Sequence, residues 1–409
     1  MPSRARAALR ELSDAVVRAG SDVHVLRALA WDRSVHRRFL AGGARELPRP
    51  VYPPLEFDLA GKLHLLRGLR LRLRGKNPAE ALLRGAVDQL AITCRMLAAR
   101  GTRAFYRHSV ELFGDALEGS RHASGAGGER RDARARNLAI ARSWVSRRGH
   151  SPERASLPAS ECRDRIEAIV RPVLGDRCRV RLSRRIAAFA AAGTRSIAVR
   201  DGARFTPRQA RALAHHEGLW HVLTALNGAA QPVLTVLGSG LGFFTESQEG
   251  GGIVSEFLTG NLTNDRFAEL GERTLAIHRA AQGADYPTVF RSLAERHGEA
   301  RACHLAERVF RGGLLTGGAP FTKDAVYQRG YCSVSSFLCA ALARGDDALV
   351  LAFFAGKLGA GDAGAVRALI DEGLVSPPRF LPAWWTRRER LDAQVTHWLT
   401  LSQFEPGRL

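Results

Sequence analysis

His216, Glu217 and His221, in the stretch HHEGLWH (215–221), place two imidazoles and a carboxylate close together along one segment. Imidazole nitrogens ligate borderline divalent ions, and a carboxylate beside such an ion can take a proton from water. The familiar zinc-hydrolase pattern, H-E-x-x-H, sets its histidines at i and i+4 on one helix face. Here the second histidine comes one residue late, at i+5. At about 100° per residue, those positions lie about 140° apart around an α-helix, too far to share one ion. A π-type turn brings i+5 back over i, and Gly218 is where such a distortion is cheapest. The spacing therefore suits a metal only on a helix that departs from α geometry. The alternative is two core histidines that happen to lie beside a glutamate.

A catalytic metal also needs a third protein ligand and an open position for water. Downstream, TESQEGGGIVSEFLTG (245–260) predicts a second helix, with Thr245 and Gln248 spaced as a capping box. It offers Glu246, Glu249 and Glu256. Glu249 and Glu256 are two turns apart and share a face, and Glu246 is three before Glu249, so spacing leaves the choice open. His215 points about 100° away from His216 and reads as a neighbour of the site or a core residue, not a ligand. GSGLG (238–242) lacks the strand, helix and acid of a dinucleotide fingerprint and reads as a tight connection.

Residues 1–114 show apolar positions at helical spacing, as in LRELSDAVVRAG and EALLRGAVDQLAITCRMLAARG. This N-terminal helical region is expected to dock on the rest and to wall a cleft with Phe105, Tyr106 and Arg107. ELPRPVYPPLEFD (46–58) must run extended, because a residue before proline is pushed out of the α region. GSRHASGAGGERRDARAR (119–136) has no periodicity and reads as loop, so residues 115–155 are expected to be a flexible linker. Residues 156–409 would be the catalytic domain. It opens with three short strand patterns, RVRLS (179–183), RIAAFAA (185–191) and RSIAVR (195–200). Thr206-Pro207-Arg208-Gln209 then gives a helix start, with Thr as cap, Pro first and Gln three residues on. This helix carries HHEGLWH. The chain from about 265 is mostly helical again, so the expected class is α+β and predominantly helical.

The 409 residues carry a net charge of +21, which invites an acidic partner or nucleic acid. Only Lys62, Lys76, Lys323 and Lys357 are lysines, however, and an Arg-, Ala- and Gly-rich composition also fits a GC-rich genome. Cys94, Cys162, Cys178, Cys303, Cys332 and Cys339 show no metal-ribbon or paired spacing and suit a reducing compartment. The N-terminus has no apolar core of a secretion signal, and the longest apolar run, 233–244, is too short to span a bilayer. The expected location is the cytoplasm, with no membrane contact.

HHEGLWHVLTALNGAAQP followed by TESQEGGGIVSEFLTG resembles the core of the microtubule-associated tyrosine carboxypeptidase family, whose bacterial relatives are known by a QEGLA motif. RRFLAGGARELPRPVYPPLEFD, GTRAFYRHSVELFGDAL, RVFRGG, FTKDAVYQRGY, LAFFAGKLG and SPPRFLPAW also look like family segments in the family's order. The resemblance implies a gluzincin-like zinc peptidase core with Zn2+ held by His216, His221 and Glu249, and Glu217 as general base. It implies a metallocarboxypeptidase that removes a C-terminal tyrosine or phenylalanine from a peptide or protein tail. An acidic tail would suit the positive charge; nucleic acid is not the expected partner. Binding a free α-carboxylate calls for a cation, for which Arg308, Arg311, Lys323 and Arg329 are candidates, and Tyr327 could donate to an oxyanion. Gly250-Gly251-Gly252 departs from the family's Gly-Leu-Ala; each added glycine should cost roughly 1 kcal/mol in a helix interior. The competing reading is a basic helical binding protein for nucleic acid or acidic protein tails, with a vestigial metal site.

Overall fold

A computed structural model describes residues 3–75, 77–118, 127–147, 149, 153–186, 188–239 and 244–402. Six helices come first: α1 (Ser3–Gly20), α2 (Val25–Ala28), α3 (Arg33–Ala41), α4 (Leu59–Arg72), α5 (Pro78–Ala98) and α6 (Arg103–Phe113). Asp32, Asp58, Asn77 and Thr102 cap α3 to α6 by accepting a first-turn backbone N–H, as their short polar side chains favour. Leu9, Leu12, Val16 and Ala19 make the buried stripe of α1. They join a core that runs through Leu83 and Val87 of α5 to Trp220, Leu258, Val334, Phe354 and Trp384. The N-terminal helices are thus packed into the same core as the segment carrying the histidines. Phe105 is fully buried against Phe321, so it fills that interior rather than lining a cleft, while Arg107 is exposed.

The loop expected over 119–136 is not what the described part of that stretch forms. Gly127–Ser146 is a helix, α7. It lies against a later helix, where Trp144 packs at a tilt on Phe267 and edge to face on Tyr331, and Asn137 donates to Leu117 O. Its first half, GGERRDARAR, has no apolar period to read, but Glu, Arg and Ala are strong helix formers. The Gly/Ser-rich residues 119–126 lie outside the described residues.

Next come β1 (Leu157–Pro158), α8 (Ala159–Leu174), β2 (Arg179–Ser183), β3 (Ala190–Ala192), β4 (Ser196–Arg200) and β5 (Arg204–Phe205). One small sheet has the order β2-β4-β3, with β4 parallel to β2 and antiparallel to β3; β1 and β5 form the other. The strand expected over 185–191 shrinks to Ala190–Ala192, with residue 187 outside the described residues. Its register explains this: Ala190 lies opposite Val199, so its partner strand runs out at the Asp201–Gly202 turn just beyond.

Thr206 and Gln209 form the expected capping box at the start of α9 (Pro207–Leu213). A π-helix, Ala214–Val222, continues it and leads into α10 (Leu223–Ala229). The second site helix is α11 (Thr245–Leu258). Its expected capping box is absent: Phe244 is the cap residue and makes no side-chain cap bond, and Gln248 turns inward to accept from Thr224 Oγ1 at 3.1 Å. The connection read at 238–242 falls mostly outside the described residues. The rest is helical: α12 (Asn264–Ala281), α13 (Tyr286–His297), α14 (Glu299–Phe310), α15 (Val326–Ala343), α16 (Asp347–Phe353), α17 (Ala363–Asp371), α18 (Ala383–Thr386) and α19 (Arg388–Ser402). The fold is α+β, predominantly helical, with small sheets. Among the described residues no helix is long and apolar enough to cross a membrane.

Candidate metal centre

Bonding from i to i+5 in the π-helix resolves the awkward histidine spacing, because it returns His221 over His216. Their ring centroids are 4.9 Å apart. Gly218, midway, lies on α8 and β4: a Cβ there would come within 3.1 Å of Ile197 Cδ1 and closer still to Val170. The missing side chain lets the wide turn sit flat on its support, a reason for glycine beyond the cheap distortion expected.

α11 supplies the acid. Nε2 of His216 and Nε2 of His221 each lie 3.5 Å from Oε2 of Glu249. These three atoms all fall within 4.8 Å of one another, so the group could hold a metal ion. Tetrahedral ligands at about 2.0–2.1 Å from an ion stand about 3.3 Å apart, close to the spacing seen. The other Glu249 oxygen accepts from Lys323 Nζ at 2.9 Å, leaving one oxygen turned to the imidazoles. Of the acids left open by spacing, Glu246 instead pairs with Arg329.

Glu256 does something else. Its Oε1 accepts from Nδ1 of His216 at 2.7 Å, while Arg266 approaches its Oε2 at 3.4 Å. With Nδ1 so engaged, Nε2 is the nitrogen left to face Glu249 and His221, which is how carboxylates orient metal-ligating histidines. Burial alone would lower the His216 pKa, but hydrogen bonds to Glu249 and Glu256 outweigh it and raise it to about 10. Burial would raise Glu249, yet Lys323 and the two imidazoles hold its carboxyl well below the usual range. Without an ion the buried acids therefore keep a proton on His216, the position a metal would contest. His215 is pushed down to about 4 by burial, and its Nδ1 has no partner among the described residues.

Glu217 reaches the other way. Its Oε2 accepts from the Ala192 backbone N–H at 2.9 Å, so β3 fixes the carboxylate next to, rather than within, the three-donor group. The glycine run of α11 has a packing reason. A Cβ on Gly251 would fall inside the Trp220 indole, and one on Gly252 would stand 2.6 Å from His216 Cε1. Trp220 thus fills the space a leucine would take.

The cations expected at the substrate end separate by their partners. Arg308 is clamped by both oxygens of Asp324. Arg329 is buried, bound to Glu246 and to the carbonyls of Phe113, Asp115 and Ala116. Arg311 is buried over the Phe321 ring, and its Nε has no hydrogen-bond partner among the described residues. Lys323 is committed to Glu249. Tyr327 sits under Lys323 and Arg273, and burial, then Glu249, raise its phenol above the ordinary pKa, so it stays a donor. Sequence reasoning missed Lys357. Burial lowers its pKa against the pull of Glu249 and Glu217, and no partner for its ammonium stands among the described residues. Its being one of only four lysines in an arginine-rich chain was the available signal.

A predominantly helical α+β fold whose two-histidine, one-glutamate group is buried at His216 and half-buried at His221 and Glu249 defines a candidate metal-binding protein. More narrowly, the chain belongs to the microtubule-associated tyrosine carboxypeptidase family, which it matches over residues 37–403. That description implies carboxypeptidase-type activity on a protein tail for the family. Among solved structures, the chain is similar to a putative lipoprotein from Colwellia psychrerythraea, at 14% identity and a TM-score of 0.36, covering 84% of this chain. The chain spans 64% of that structure's length. No curated protein matches the chain.

Proposed function

We propose that the protein is a zinc metallocarboxypeptidase of gluzincin type, with His216, His221 and Glu249 as ligands and Glu217 as general base. The observation that carries this is the convergence of both Nε2 atoms on one Glu249 oxygen, with His216 Nδ1 tied to Glu256. Two imidazoles and one carboxylate suit a borderline ion, and zinc in such a site lowers the pKa of water and polarises a carbonyl.

The remaining roles fall to the chain's own groups. Glu217, aimed by β3, takes a proton from the attacking water and passes it to the leaving amine. Tyr327 keeps its proton and donates to the developing oxyanion. Lys357 receives the substrate's terminal carboxylate, since Arg308, Arg329 and Lys323 are already engaged and Arg311 is buried over the Phe321 ring. An aromatic final residue offers a specificity pocket the most apolar surface, with burial contributing roughly 1.5–3 kcal/mol. The charge of +21 favours an acidic tail at low salt. Residues 156–409 would hold the catalytic machinery, and 1–114 would be its docked support.

A library of peptides differing only in the last residue, read by mass, tests this. Removal of one residue from Tyr- or Phe-ended peptides, blocked by C-terminal amidation, is expected. Internal cleavage, or indifference to amidation, would rule out the exopeptidase reading.

A further inference from the structure

A second group of potential ligands lies apart from the residues just described. His36 on α3 faces His304 and Glu307 on α14, and one ligand atom from each falls within 4.8 Å of the others. His304 and Glu307 are three apart on one helix, so both project from the same face. The imidazoles of His36 and His304 meet edge to face, with ring centroids 5.0 Å apart.

The His36–Glu307 contact is not an ordinary hydrogen bond. Nε2 of His36 is 3.1 Å from Oε2 of Glu307, yet that nitrogen is buried and has no hydrogen-bond partner among the described residues. The two atoms are close without pointing at one another, as ligands sharing a third atom are. Glu307 is only 7% exposed, and a carboxylate so placed needs a cation or hydrogen-bond donors. The nearby cation just past the end of its helix, Arg311, is directed over Phe321 instead. His304 is the most accessible of the three, which leaves a side open for entry and for water.

We infer that His36, His304 and Glu307 bind a divalent first-row transition ion, of zinc type rather than calcium or magnesium type. Two imidazole nitrogens and one carboxylate oxygen favour such ions, whereas calcium and magnesium take oxygen. The ion would clip α3, near the N-terminus, to α14, the helix that ends beside Arg311. It would act as a structural cross-brace, stabilising the folded state by binding it alone. Trp31, whose ring centroid is 6.0 Å from that of His36, packs beside the site on one side.

The test is a titration of chelator-stripped, full-length protein with Zn2+ alone, counting bound equivalents and following the thermal midpoint. Two equivalents are expected for the wild type, one for His304→Ala, one for His216→Ala, and none for the double variant. Zn2+ should raise the midpoint of His216→Ala but not of the double variant. Glu307→Gln provides a second check, keeping side-chain volume while removing the charge, and should also lose one equivalent. If His304→Ala binds as many equivalents as the wild type, the inference is overturned. If the wild type binds one equivalent that His304→Ala abolishes and His216→Ala keeps, this site stands and the peptidase metal centre fails.

Discussion

Nδ1 of His216 lies 2.7 Å from Oε1 of Glu256, forty residues further along the chain, and Arg266 holds the far oxygen of the same carboxylate. The contact links the π-helix to α11 through the ring nitrogen that does not face Glu249. It fixes the plane of the imidazole and keeps Nδ1 from any ion, so Glu256 is a positioning residue.

Glu256→Gln should therefore keep the fold and weaken metal binding about 10- to 100-fold, the usual effect of losing such a partner. Competition with a chelator of known affinity measures it. An unchanged dissociation constant would show that the contact only buries the ring.

Glu217→Gln separates base from ligand. It should retain the metal and lower kcat by about 10²- to 10⁴-fold, as expected when a general base is removed. If the metal is lost as well, Glu217 is a ligand and the roles assigned to it and Glu249 need exchanging.

Metal uptake should release a proton at neutral pH. In the metal-free protein, hydrogen bonds to Glu249 and Glu256 overcome the lowering by burial and raise His216 to about 10, so the imidazole is protonated at pH 7. A group raised above its unfolded value contributes stability that is fully present below about pH 6.5 and lost as pH rises towards 10. Ligation needs the neutral ring, so apparent metal affinity should rise with pH across the window from about 6.5 to about 10. Calorimetry in buffers of different ionisation enthalpy counts the proton, and binding without release would contradict the shift.

Much of this was legible in the residue order, for physical reasons that differ by element. The capping box at Thr206 and Gln209 is local chemistry and needs no tertiary information. The i+5 histidine spacing demanded a non-α turn, and the π-helix supplies one. Glu249 could not be chosen over Glu246 or Glu256 from spacing, because that choice depends on which carboxylate the neighbouring helices leave facing the imidazoles. Arg329 takes Glu246 and His216 Nδ1 takes Glu256, both long-range contacts. α7 was hidden because its first half has helix-forming residues without an apolar stripe. Lys357 was hidden because no sequence shows which of several cations is already paired.

Gly251→Leu, which restores the family's usual residue, should destabilise this chain by about 1–3 kcal/mol, since the added side chain must displace the Trp220 indole. Pairing it with Trp220→Ala should recover part of that loss, and a double-mutant cycle on urea midpoints reads the coupling. Additive losses would mean the two side chains do not compete for the same space.

One ion is expected between His216, His221 and Glu249, and diffraction from zinc-loaded crystals at the zinc absorption edge tests for it. An anomalous peak should stand bonded to the Nε2 atoms of His216 and His221 and to one oxygen of Glu249, at about 2.0–2.2 Å. Zinc-loaded crystals with no peak there, or with Glu217 or Glu256 in place of Glu249 as ligand, would contradict it.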